Sequence, residues 1–183
     1  MVLLLFVTYF RPGEGLKLRE QDLTQPGLTG TWALNLHSSD RLESSKMGLS
    51  DECTLLDSAT VPWLGNVLSQ NRSASANAPL IRTDYNKLKS AWQLALTRLK
   101  VGKKYAVLYQ LRHSGPSWDM LQRFRTRAEI KARGRWASDS SVRRYEAHAR
   151  VASEYDRLPI EVRRRAASAA TLLHAKMRGF FKL

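Results

Sequence analysis

The chain opens on a run that leaves few choices about where it can sit. Val2 to Phe10 (V-L-L-L-F-V-T-Y-F) carries no charge and is apolar on every side. A helix with no polar face must be surrounded by other elements. The alternatives are excluded by length and flanks. A bilayer span needs about 20 apolar residues. A secretory signal needs a basic start and a small-residue cleavage site, whereas Arg11 and Glu14 follow at once here. The run therefore reads as a core helix whose own beginning is missing, so the natural domain or protein is expected to extend upstream. Pro12-Gly13 ends it, and Glu14 to Arg19 can start a second short helix.

Beyond the turn at Gln25-Pro26-Gly27, Thr31 to His37 alternates apolar and polar residues, the period of a half-buried strand. Glu52 to Asp57 is a second strand candidate, and Ser38 to Asp51 forms a hairpin-like excursion carrying Lys46. Thr60 to Gln70 has helical spacing with Pro62 near its start, where proline is tolerated. Asn71 to Ala78 reads as a loop. Asp84 to Leu99 is the clearest amphipathic helix, with Leu88, Trp92, Leu94, Ala95, Leu96 and Leu99 on one side and Gly102 ending it. From Tyr105 on, helix follows helix, with breaks expected at Gly115-Pro116, Gly134 and Asp139-Ser140 and a last helix over Val162 to Met177. The fold class is thus mainly α with a small antiparallel β-sheet in the first third.

A chain of 183 residues accommodates one domain with a substantial core. The net charge of +14 is unevenly placed. Residues 1–100 hold 11 basic and 9 acidic side chains, whereas residues 101–183 hold 19 and 7. A field of that sign concentrates polyanions, nucleic acid foremost, although a solvated basic surface or contact with anionic membrane or RNA through charge alone has the same composition. Cys53 is the only cysteine, which excludes an intrachain disulfide and a cysteine-based zinc site and suits a reducing compartment.

Four stretches carry chemistry: Arg11-Pro-Gly-Glu14, Ser45-Lys46-Met47-Gly48, Tyr109-Gln-Leu-Arg112-His113, and Gly134-Arg-Trp136 followed by Tyr145. In that order they resemble the active-site motifs of the tyrosine recombinases (phage-integrase type). The family's first arginine sits in an R-x-x-E turn, like Arg11 with Glu14. Its lysine lies on a β-hairpin, where Lys46 is expected. Its second arginine belongs to an H-x-x-R-H element opening a helix, which Arg112-His113 resembles. A His or Trp precedes the nucleophilic tyrosine by nine residues, as Trp136 precedes Tyr145. Taken singly each of these residues has a bland reading, as a helix cap, a solvated lysine or a core aromatic. Their order and spacing together carry the resemblance, which covers roughly residues 2–150.

What the resemblance implies is a DNA breaking-rejoining catalytic domain over 1–150 and a C-terminal helical extension over 151–183, packing in cis or on a neighbouring subunit. The implied reaction is site-specific recombination or integration through a 3′-phosphotyrosyl intermediate. Tyr145 attacks, Arg11 and Arg112 clamp the phosphate, Lys46 protonates the leaving oxygen, and Trp136 and Tyr109 are auxiliary donors. The residue types suit the task. A phosphotyrosyl ester conserves the bond for rejoining, and each arginine can donate two parallel hydrogen bonds to phosphate oxygens. Each donor aimed at the charge that develops is worth about 3 kcal/mol. The implied partners are double-stranded DNA and further copies of the chain on it, with no membrane, metal or cofactor, in whichever intracellular compartment holds the DNA.

Three departures accompany the match. Tyr109 stands where the family has its first histidine, and a phenol cannot act as a base near neutral pH. Arg135 separates Gly134 from Trp136, displacing a glycine usually adjacent to the Trp. No counterpart of the family's N-terminal core-binding domain is read within these 183 residues. They frame the alternative function: an inactive or truncated DNA-binding remnant of a mobile-element integrase.

Overall fold

Two clusters divide the first helix between them. In the computed structural model, which describes residues 1–28, 30–36, 52–101, 107–146 and 148–180, α1 (Val2–Thr8) places Leu4, Leu5 and Val7, with Phe10 beyond its end, in the larger cluster. Tyr9, its C-cap, belongs to the second, with Ile130, Val142 and Tyr145. Val2 stays exposed and Leu3 and Phe6 are only partly buried, so α1 is not enclosed on all sides as its composition led us to expect.

After α1 come α2 (Pro12–Lys17) and a 3-10 turn, Glu20–Asp22, leading into β1 (Leu23–Thr24). β1 is two residues long, with no alternation to announce it, and was not among the expected strands. It pairs antiparallel with β2 (Ala33–Leu36), which pairs antiparallel with β3 (Glu52–Leu55), giving the order β1-β2-β3. Leu34 lies between Leu23 and Thr54 in the register, and Leu36 opposite Glu52. Both longer strands fall inside their expected ranges. Lys46 lies outside the described residues.

α3 (Leu64–Ser69) and α4 (Tyr85–Arg98) follow. Asp84 caps α4 by accepting from the Lys87 amide at 2.8 Å. Only the Leu88, Trp92, Leu96 row of α4 packs inward; Leu94 and Leu99 are exposed, so its apolar stripe is narrower than the sequence suggested. A 3-10 turn, Leu108–Gln110, then leads directly into α5 (Leu111–Leu121), followed by α6 (Arg127–Gly134), α7 (Ser140–Arg143), a 3-10 turn at Arg144–Glu146, α8 (His148–Asp156) and α9 (Ile160–Phe180). On α9, Leu173 packs against the larger cluster and the His174 ring stacks on Trp63 at 4.9 Å. Among the described residues no helix is long and apolar enough to cross a membrane.

The break expected at Gly115-Pro116 does not occur, since both residues lie inside α5. Proline ordinarily disfavours a helix interior by about 3 kcal/mol. Tertiary contact overrides that preference here. α5 crosses α1 so closely that a Cβ at Gly115 would overlap the Phe6 carbonyl oxygen and lie 2.9 Å from the Tyr9 ring. The glycine serves the helix crossing. Gly115→Ala is expected to destabilise the chain by about 3 kcal/mol, because rigid backbone cannot yield to the added methyl. Urea unfolding checks this, and an unchanged midpoint would contradict the crossing.

Candidate active site

At the centre lies Arg112, whose side chain is 1% exposed. The second residue of α5, it points between the C-terminal ends of two other helices. Nη1 donates to the Tyr9 carbonyl at 2.6 Å and Nη2 to the Gly134 carbonyl at 2.7 Å. Carbonyls at helix C-termini have no intrahelical donor and carry the negative end of the helix dipole, so they are natural partners for a buried cation. Both ends are finished by a left-handed residue that is not glycine, Tyr9 at φ 59° and Arg135 at φ 54°. Nε of Arg112 has no hydrogen-bond partner among the described residues. Burial, then the neighbouring Arg11, lowers the Arg112 guanidinium from its ordinary value, but arginine stays charged in proteins.

Glu14 gathers this cation with two more. Its carboxylate is 2.6 Å from Arg11 Nη1, 2.7 Å from Arg135 Nη2 and 3.7 Å from Arg112 Nη1. It also accepts from the Arg11 amide at 2.6 Å, which fixes the turn into α2. Burial alone would raise the Glu14 carboxyl, but Arg135 and Arg11 outweigh it and hold the group below its ordinary range. Arg11 is the most open of the three, 36% exposed, and lies close enough to Tyr109 for the two to interact electrostatically.

Tyr145, on the Arg144–Glu146 turn, comes back onto the same place. Its ring centre is 5.1 Å from that of Trp136, whose ring is in turn 5.2 Å from the Arg112 guanidinium carbon. The Trp136 indole fills the space over Gly134, where a Cβ would overlap it, and stacks toward Tyr9 at 6.1 Å. The Tyr145 hydroxyl is 2.7 Å from His113 Nδ1. Burial pushes the Tyr145 phenol up to about 12, although Arg144 and Arg112 pull it back. Burial, then Arg144 and Arg112, lowers His113 from its ordinary 6.5, so the imidazole is neutral at pH 7.

A second polar network braces the far side. The Tyr9 hydroxyl donates to Asp119, which also accepts from Arg125 Nε at 3.0 Å. Asp57 pairs with Arg125 and, at 3.0 Å, with Arg133. Arg133 Nε donates at 2.8 Å to the Val7 carbonyl, another acceptor left open at the end of α1. α1, α5, α6 and the segment after β3 are thereby tied together around Arg112.

Of the residues singled out in the sequence, Arg11, Tyr109, Arg112, Trp136 and Tyr145 are brought together, and Lys46 falls outside the described residues. Two members were missed. Arg135, read only as displacing a glycine, occupies the left-handed position where glycine is favoured; its ion pair with Glu14 and its approach to the Phe10 ring at 5.0 Å offset the strain. His113 was noted only as part of a motif, yet its Nδ1 meets the Tyr145 hydroxyl. The signal for it was the i, i+1 pairing with Arg112 at a helix start, which puts neighbouring side chains on different flanks.

Two solved structures share this arrangement of elements. XerH site-specific recombinase bound to difH substrate, a pre-cleavage complex, matches with a TM-score of 0.53 and 16% sequence identity, over 79% of this chain and 40% of that one. The same recombinase bound to palindromic difH substrate, a post-cleavage complex, matches with equal score and identity over 94% of this chain and 44% of that one. The chain thus spans less than half the length of the structures it matches. No family model matches it, and no curated protein matches it in sequence. The likeness shows the fold, which in this chain is mainly helical with a three-stranded antiparallel sheet.

The Glu14 cluster has a consequence for acid stability. The folded carboxyl titrates below its ordinary 4.5, so the unfolded chain takes up this proton first as pH falls. Its stabilisation is fully present above that value and is lost as pH drops through the folded pKa. Glu14→Gln is expected to lose about 3 kcal/mol at pH 7, because three guanidiniums are left around a neutral group. The difference from wild type should shrink below pH 4.5 in urea titrations. A difference independent of pH would contradict the ion cluster.

Proposed function

We propose that the chain is the catalytic domain of a DNA strand-exchange enzyme that cuts and rejoins through a 3′-phosphotyrosyl intermediate. The observation that carries this reading is the meeting of Arg112 and Tyr145 at Trp136, with Arg11 held beside Arg112 by Glu14, from three parts of the chain more than 30 residues apart. The recombinase fold and the DNA complexes of its structural neighbours support it. Arg112, with an N–H still to satisfy, and Arg11, 36% exposed, would donate to the non-bridging oxygens. An unmet buried donor costs about 1–3 kcal/mol, which an entering phosphate oxygen would recover. Lys46 protonates the leaving 5′ oxygen, Tyr109 and Trp136 assist, and copies of the chain assemble on the duplex. The basic second half supplies phosphate contacts without sequence preference.

A second reading, a DNA-binding remnant of a mobile element that no longer cuts, is favoured by one observation. Tyr145 is 2% exposed and both Nη atoms of Arg112 are committed to carbonyls, so the arrangement must open before a phosphate reaches the hydroxyl.

A nicked suicide duplex separates the two. The proposed enzyme becomes covalently attached, and Tyr145→Phe does not; equal behaviour of the two proteins removes the enzyme. Under either reading, duplex affinity falls steeply with salt, by about 0.9 log units per log unit of salt for each phosphate neutralised. Anisotropy titrations across salt concentrations check this, and a flat response would remove the DNA partner.

A further inference from the structure

We infer that His113 is the base that takes the proton from Tyr145. This rests on the proposed strand-cleavage reading and assigns a catalytic residue to a step that reading leaves open. Tyr145 needs a base, because a buried phenol is less acidic than a free one and a protonated hydroxyl is a poor nucleophile. Among the tyrosine's described contacts, the one group able to accept is the His113 imidazole, with Nδ1 at 2.7 Å from the hydroxyl. The other groups gathered there do not fit. Arg112 and Arg144 are permanent cations, and Tyr109 is a phenol like the nucleophile itself. Glu14 is engaged by three guanidiniums.

The position is built for the task. His113 follows Arg112 on the first turn of α5, so the helix that fixes the buried guanidinium also fixes the imidazole. The Tyr109 ring meets it edge-on at 5.2 Å and the Tyr145 ring lies over it at 6.0 Å, which restrain its plane from two sides. The groups facing it from neighbouring elements are Arg144 and Tyr145 on the following turn, with Arg112 on its own helix and Tyr109 just before it. Both charged neighbours are cations, which keep the resting imidazole neutral and free to accept. They stabilise the phenolate once the proton has left.

The step balances without a co-reactant. The Tyr145 O–H proton passes to Nδ1, which requires the tautomer with hydrogen on Nε2. The phenolic oxygen forms a bond to phosphorus while the bond from phosphorus to the 5′ oxygen breaks, and that oxygen takes a proton from Lys46. Rejoining runs the same transfers backward: the 5′ hydroxyl attacks, and the imidazolium returns its proton to Tyr145.

The test is the rate of covalent attachment to a nicked suicide duplex between pH 5 and 9. Wild type is expected to lose activity at low pH with an apparent pKa below 6.5, as the imidazole charges. His113→Ala should be slower by about 100-fold or more at pH 7. Its rate should climb with pH toward the phenol's own value near 12, and added imidazole should restore part of it. Duplex binding by the variant, measured by anisotropy, shows that the fold survives. Should the variant prove unfolded, the wild-type pH profile and a His113→Gln protein carry the same test. Attachment by either variant at the wild-type rate overturns the base and leaves the cleavage reading standing. Failure of wild type itself to attach removes both.

Discussion

A guanidinium buried to 1% exposure is the constraint around which this molecule is arranged. Desolvating such a charge is costly by several kcal/mol unless strong acceptors replace water. The chain supplies them from the ends of α1 and α6, two helices that are remote in sequence and meet because Arg112 joins them. This explains features that otherwise look unrelated. Tyr9 and Arg135 take left-handed conformations where α1 and α6 end, next to the Tyr9 and Gly134 carbonyls that accept from Arg112. Gly115 lacks a side chain because α5 has to pass close enough to α1 for its arginine to reach Tyr9. The apolar run at the start of the chain, most of it buried, ends at the wall of a polar site.

The same arrangement sets the local electrostatics. Three guanidiniums around one carboxylate leave a net positive cluster, and the Trp136 ring lies against Arg112 with the Tyr9 and Tyr145 rings packed on it. Charge placed in advance is a form of stabilisation that phosphoryl chemistry rewards strongly. Under the proposed reaction, Glu14 keeps the cations from repelling one another and holds Arg11 toward the open side. The network of Asp119, Arg125, Asp57 and Arg133 keeps the supporting helix ends in place.

Much of this was legible in the sequence, and the limits have physical reasons. Both longer strands, the α4 helix and the spacing of Arg11, Arg112, Trp136 and Tyr145 follow from local periodicity and motif order, which survive in one dimension. Gly115-Pro116 was misread because a glycine needed for a helix crossing has the same local signature as one that ends a helix. Arg135 looked like a departure; its value lies in an ion pair with Glu14 across 121 residues, and no local pattern encodes such a pair. The exposed Leu94 and Leu99 show the same limit on α4: apolar residues can mark a stripe, but the width of the buried part is decided by what packs against it.

A structure of the chain on a nicked duplex with orthovanadate would probe the convergence most directly, since vanadate adopts the geometry of the pentavalent phosphorus. The expected result is vanadium bonded to the Tyr145 hydroxyl oxygen, with Arg11 and Arg112 donating to its equatorial oxygens. Vanadate or the DNA backbone seated elsewhere on the molecule, with Tyr145 still closed against His113, would contradict it.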